Sequence, residues 1–184
     1  MRVNRKVFVA FIFVFLAIYC SLDYKLYYYG KSNFTFYPHL PLNIVPEFWG
    51  LQNGNLGFVL LDEGGLTLIA NGSKYWSSEV VVDKILKYGF NKNQLIAYIK
   101  GKDKNNYYII CLKNNDIYSN QNVKINVSKE IDQFDSANFK WISNDESYFR
   151  KMELARNYFV LFSIVIIGIL SYMLFCSQFK KKFR

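Results

Sequence analysis

The chain carries two long stretches without a charged side chain, one near each end, and between them apolar and polar residues alternate over short runs. The first stretch, Val7 to Leu22 (VFVAFIFVFLAIYCSL), has sixteen residues. As a helix rising about 1.5 Å per residue it reaches roughly 24 Å, a little short of a hydrocarbon core about 30 Å thick. Tyr24, Tyr27, Tyr28 and Tyr29 follow directly, and amphipathic rings of this kind suit the headgroup layer, so they are expected to extend the helix to the interface. The second stretch, Tyr158 to Cys176 (YFVLFSIVIIGILSYMLFC), is uncharged over nineteen residues, or about 28 Å as a helix. Both stretches are predicted to be transmembrane helices.

Between them the period changes. Lys31 to Trp49 contains Pro38, Pro41 and Pro46, which disfavour regular helix and predict an extended lead-in. Phe58–Leu61, the Gly-bearing Asp62–Gly65, and Leu66–Ala70 read as strand, turn and strand. Val80–Tyr88, Gln94–Lys100 and Tyr107–Leu112 are further strands, and the turn-rich gaps of about five residues between them predict an antiparallel meander. Ser128 is placed to cap a short helix running through Ala137, with Ile131 and Phe134 on one face. The expected fold class is an α+β membrane protein: two terminal transmembrane helices flanking one small antiparallel β-rich extracytoplasmic domain with a short helix. Its divisions are an N-terminus (1–6), a first span (7–22), the domain (23–157), a second span (158–176) and a basic tail (177–184).

Charge changes the picture in two ways. The net charge of +9 first points to nucleic acid, but Arg2, Arg5 and Lys6 precede the first apolar run, and Lys180, Lys181, Lys182 and Arg184 follow the last, with no acid in either place. From Ser21 to Asn157 sixteen basic residues stand against fourteen acids. A nucleic-acid binder carries its cations on the folded domain, where they neutralise phosphates, so no nucleic-acid partner is expected. Lys and Arg accumulate on the cytoplasmic side of spans. Both termini are therefore predicted inside an inner (plasma) membrane, with the domain periplasmic or extracellular. Arg150, Lys151 and Arg156 oppose this orientation, and Glu146 and Glu153 offset them only in part.

A secretory signal also begins with positive charge and an apolar run, and Leu16–Cys20 faintly resembles a lipoprotein box. Tyr19 is too large for the position before that Cys, so the segment is read as an uncleaved anchor, with a processed signal as the competing reading. Asn33, Asn71 and Asn126 begin Asn-x-Ser/Thr acceptors inside the exported region, though chance matches are expected in so Asn-rich a chain. The Asn, Lys, Ile and Tyr usage is that of an AT-rich genome and favours a bacterial source.

The candidate chemistry is sparse. His39 is the single histidine and lacks a local Cys or acid partner for a metal site or a triad. Cys111 lies in an apolar strand and reads as core, while Cys20 and Cys176 end at opposite membrane surfaces. The carboxylates Asp62, Glu63, Asp83, Asp132, Asp135, Asp145 and Glu146 are scattered, and turn or adjacent carboxylates are usually solvated. Asp62–Gly65 lacks the alternating oxygen ligands of a calcium loop, and the glycines form no phosphate-binding pattern. No catalytic residue, cofactor, metal or small-molecule substrate is indicated, and no enzymatic activity is expected. Neither span holds an ionisable side chain besides Tyr and Cys, which disfavours a transporter. Ser163, Gly168 and Ser171 are the small residues available for helix packing. Tyr107 and Tyr108, adjacent in one strand, must point to opposite faces of a sheet. With Tyr98 they are the candidate protein-binding residues, because Tyr brings large area and a hydrogen-bonding tip at low entropy cost.

Val80-Val81-Val82-Asp83-Lys84-Ile85-Leu86-Lys87-Tyr88-Gly89-Phe90-Asn91, then Gln94–Tyr98 and Tyr107–Ile110, resemble the meander of small exported bacterial proteins. These are mostly uncharacterised lipoproteins and immunity-type proteins, and the likeness covers roughly residues 57–142. This chain differs in lacking a lipoprotein box and in having a second span. The resemblance implies a non-enzymatic binding role and identifies no site. The expected function is a membrane-anchored protein whose exported domain binds another protein, with immunity against a periplasm- or membrane-acting effector as one form. The alternative is an accessory or sensor subunit of an integral membrane complex.

Overall fold

The computed structural model describes residues 5–34, 37, 40–52, 55–75, 79–114, 123–130 and 138–182. His39 and the expected helix beyond Glu130 lie outside them. The chain divides into two compact units, Met1–Leu26 with Ser147–Arg184, and Tyr27–Glu146. It is α+β, with two apolar helices and antiparallel sheets.

The first unit is built from helix α1 (Arg5–Tyr27) and helix α2 (Glu146–Lys182). Both are long and apolar enough to cross a bilayer, and only 6% of each apolar window is buried. Helix α2 starts twelve residues before the uncharged stretch at Tyr158, and its 37 residues extend about 55 Å at 1.5 Å per residue. The helices run antiparallel, touching where Phe15 meets Phe159 edge-on at 5.9 Å and where Asp23 meets Arg156. Of the small residues, only Ser163 turns inward. It is 9% exposed, and its hydroxyl donates to the Phe159 carbonyl at 2.7 Å, which satisfies it within its own helix. Ser171 is exposed, and nothing lies within 4 Å of the Cβ position of Gly168, so neither serves helix packing in this unit.

The described residues of the second unit form nine strands. A three-stranded sheet comprises β1 (Val45–Gln52), β2 (Asn55–Leu61) and β3 (Thr67–Ile69). The expected hairpin at Asp62–Gly65 is present: the Asp62 carboxylate accepts the Leu66 N–H at 2.7 Å and fixes the turn. β1 adds a strand to the lead-in, and it tolerates Pro46 because it lies at the sheet edge. The larger sheet orders β4 (Lys74–Tyr75), β5 (Val80–Phe90), β6 (Leu95–Gly101), β7 (Asn106–Lys113) and β8 (Val123–Ser128). β9 (Lys140–Ser143) pairs with the last residues of β5. Trp141 and Ile142 lie in the middle of this strand. The Tyr75 hydroxyl donates to the Leu68 carbonyl at 2.7 Å and ties the two sheets together.

Three tyrosines at the end of α1 and just beyond it depart from the interfacial expectation, while Tyr24 stays exposed. Tyr27, Tyr28 and Tyr29 are 7%, 8% and 5% exposed, buried in the core of the second unit. Their polar groups are used there. The Tyr88 hydroxyl donates to the Tyr28 carbonyl, the Tyr29 hydroxyl to the Ser143 carbonyl at 3.1 Å, and the Lys140 ammonium to the Tyr28 hydroxyl at 2.8 Å. Burial raises the Tyr88 hydroxyl well above its ordinary pKa, with Tyr27, Tyr28 and Tyr29 adding to the effect. Gly30, at φ +71°, follows this cluster where a Cβ would stand 2.3 Å from the Glu47 backbone, so no other residue fits.

Candidate functional site

The larger sheet sorts its side chains by alternation. On β6, Leu95, Ala97 and Ile99 are fully buried while Tyr98 is half-buried and Lys100 exposed. On β7, Tyr107, Ile109 and Cys111 are buried, and Tyr108, Ile110 and Leu112 are half-buried. Period-2 geometry therefore gives this sheet a core face and an outer face.

Strand β5 keeps step only by means of two register shifts, between Val82 and Lys84 and between Ile85 and Lys87. Each inserts an extra residue, so the buried positions Val82, Ile85 and Tyr88 fall three apart instead of two. The same shifts turn Lys84 and Lys87 to the outer face, opposite Lys100 and Tyr98.

An aromatic and lysine strip results. The Tyr98 and Tyr108 rings, directly opposite across β6 and β7, lie 4.8 Å apart and tilted by 33°. Such cross-strand aromatic pairs contribute about 0.2–1 kcal/mol. The Lys87 ammonium stands 5.6 Å from the Tyr98 ring and 4.4 Å from the Trp141 ring, within cation–π range of both. Trp141 reaches this place because it pairs with Gly89, where an added Cβ would come within 2.8 Å of the indole. The buried Phe139 packs beside Trp141, ring centroids 6.1 Å apart. Ile96, next to Gly89 in the register, is 2% exposed, so the accessible part of the strip lies toward Lys84, Lys100, Tyr98 and Tyr108.

Of the three candidate tyrosines, the structure brings Tyr98 and Tyr108 together and separates Tyr107 from them. Tyr107 is 7% exposed on the core side, and its hydroxyl donates to the Asp103 carboxylate in the β6–β7 turn. That hydrogen bond raises the Tyr107 pKa and lowers that of Asp103, which Asn105 also supports. Burial is the main cause of a raised pKa at Tyr108, with Tyr98 beside it a further one. The Tyr108 hydroxyl therefore stays a neutral donor and acceptor at physiological pH.

Lys84, Lys87 and Trp141 join the site from outside the sequence-based selection. The bulges that orient the two lysines have no simple sequence signal. Trp141 had one: it stands in a short apolar pair, Trp141-Ile142, at strand spacing. Among the described residues no three His, Cys, Asp or Glu side chains converge as metal ligands. The arrangement offers flat aromatic area, hydroxyl tips and ammonium groups, which suits recognition of another macromolecule. No protein-family model matches the chain, and no match to it was found among curated proteins or solved structures.

Proposed function

We propose that this protein is a two-pass inner-membrane protein, with both termini cytoplasmic, whose β-rich domain binds another protein outside the cytoplasm. The observation that carries the reading is the Tyr98–Tyr108 ring pair flanked by Lys87 and Trp141 on the outer face of the larger sheet. Rigid aromatic side chains with polar tips are the residues that concentrate binding energy at protein interfaces. The apolar, almost unburied helices support a bilayer as the second partner. Immunity against an effector acting in the periplasm or membrane is the specific form that the meander resemblance implies.

The experiment is affinity capture of the full-length protein from gently solubilised membranes, comparing the native chain with Tyr98→Ala/Tyr108→Ala. The reading expects a stoichiometric protein partner that is lost with the double substitution. Equal recovery from both chains would count against this face as the binding surface. The accessory-subunit reading draws on the unburied apolar faces of the helices, such as Leu161 and Ile164 at 61% and 63% exposed. Rearranging the apolar sequence of the two helices at constant hydropathy separates the readings: a subunit loses its complex and a tethered binding domain does not.

A further inference from the structure

We infer that the outer face of the larger sheet receives an acidic segment of the partner protein, held by Lys84, Lys87 and Lys100; the inference rests on the binding role proposed above. Lys84 and Lys100 are directly opposite in the β5–β6 register, and like charges so placed destabilise a sheet. Neither has an ion-pair partner among the described residues, and Asp83, the acid in the adjoining bulge, is exposed and unpaired as well. Lys87 repeats the charge two register pairs along, beyond Ile85–Ile99. Three ammonium groups thus gather on one face of two interior strands, in a domain whose overall charge is nearly balanced.

The chemistry favours carboxylates on a protein. The five arginines of the chain are Arg2, Arg5, Arg150, Arg156 and Arg184, so the sheet has no guanidinium fork for bidentate phosphate recognition. Interior strands use their backbone N–H groups in the ladders and leave no amide cradle for an anion. Side chains on one face of an extended segment repeat about every 6.6 Å, close to the separation of successive register steps on this face. Acidic residues two apart would meet the Lys84–Lys100 step and the Lys87–Tyr98 step in turn, with Tyr98 and Tyr108 supplying the apolar contact between them.

The test uses the full-length protein in neutral detergent and a fluorescent peptide of alternating Glu and Ser, read by anisotropy, with a Gln–Ser peptide as its neutral counterpart. The Glu–Ser peptide should bind more tightly than the Gln–Ser peptide. Lys84→Glu/Lys100→Glu should weaken its binding at least about tenfold, as loss of interfacial charge complementarity does. Lys84→Gln/Lys100→Gln should give a smaller loss, which guards against misfolding of the reversed variant. Lys102→Glu/Lys104→Glu at the β6–β7 turn changes net charge equally and should stay within about twofold. Equal loss in the two Glu variants, or unchanged binding in all, overturns the inference. Tighter binding to phosphatidylglycerol vesicles than to the peptide also overturns it, in favour of a lipid surface. If a captured partner is lost with Tyr98→Ala/Tyr108→Ala but kept with Lys84→Glu/Lys100→Glu, the acidic assignment fails while the binding role stands. Retention by both variants defeats both.

Discussion

Asp23 of α1 and Arg156 of α2 form a 2.6 Å ion pair in which the carboxylate is fully buried and the guanidinium side chain is 7% exposed. Each follows from the helix geometry: Asp23 immediately follows the first uncharged stretch and Arg156 lies just before the second, and antiparallel helices bring those positions to the same level. Leaving one member unpaired should destabilise the helix pair by about 3–5 kcal/mol, while replacing both with apolar residues should restore most of the loss. Thermal unfolding in detergent of Asp23→Asn, Arg156→Leu and Asp23→Leu/Arg156→Leu checks this. A double substitution no better than the worse single one would show that the pair is not coupled.

The contact of Gly89 with Trp141 predicts a steric effect. Gly89→Ala places a methyl group within 2.8 Å of the indole and should cost about 1–3 kcal/mol, as overpacking does. Trp141→Leu in the same chain should relieve part of that cost. Denaturant midpoints of the two single variants and the double test it, with strict additivity as the contrary result.

The β6–β7 turn should respond to pH at both ends of the scale. Hydrogen bonds from Tyr107 and Asn105 hold Asp103 below its ordinary 3.8, so its contribution is present above that value and is lost as pH falls through the lowered folded pKa. The hydrogen bond to Asp103 raises Tyr107 above 10.0, so its contribution is present below 10.0 and is lost as pH rises through the raised folded pKa. The stability difference between the native chain and Tyr107→Phe should therefore form a plateau between these values and close beyond them. A difference independent of pH would contradict the geometry.

Cys111 is fully buried in the folded sheet, and burial pushes its thiol up to about 12. Since the thiolate is the reactive form, a maleimide at neutral pH should leave Cys111 untouched in a Cys20→Ser/Cys176→Ser background and label it on unfolding. Rapid labelling of the folded protein would show that the β6–β7 core opens.

What the sequence discloses follows the physics of each element. The β5–β7 meander was legible because Leu95, Ala97 and Ile99, and then Tyr107, Ile109 and Cys111, repeat at strand period. β8 carries the same signal in Val123, Ile125 and Val127, but the capping potential of Ser128 at its end points to a helix instead. β4 has two residues and β9 four, too few for any period to register. The bulges in β5 shift Val82, Ile85 and Tyr88 to a spacing of three, and only pairing with β6 reveals them. Tyr27–Tyr29 were misread because aromatic residues after an apolar run suit a bilayer interface and a protein core equally well. The candidate site was half legible: Tyr98 and Tyr108 were chosen from composition, but their separation from Tyr107, and the lysines beside them, depended on strand register.

The central claim is a membrane hairpin that presents the sheet domain outside the cytoplasm, and labelling in intact cells tests it most directly. In the Cys20→Ser/Cys176→Ser background, Lys102→Cys marks the β6–β7 turn and Ser177→Cys marks the C-terminal tail. A membrane-impermeant maleimide should label position 102 in intact cells and position 177 only after permeabilisation. Labelling in the reverse order, or recovery of the chain in the soluble fraction, would contradict the account.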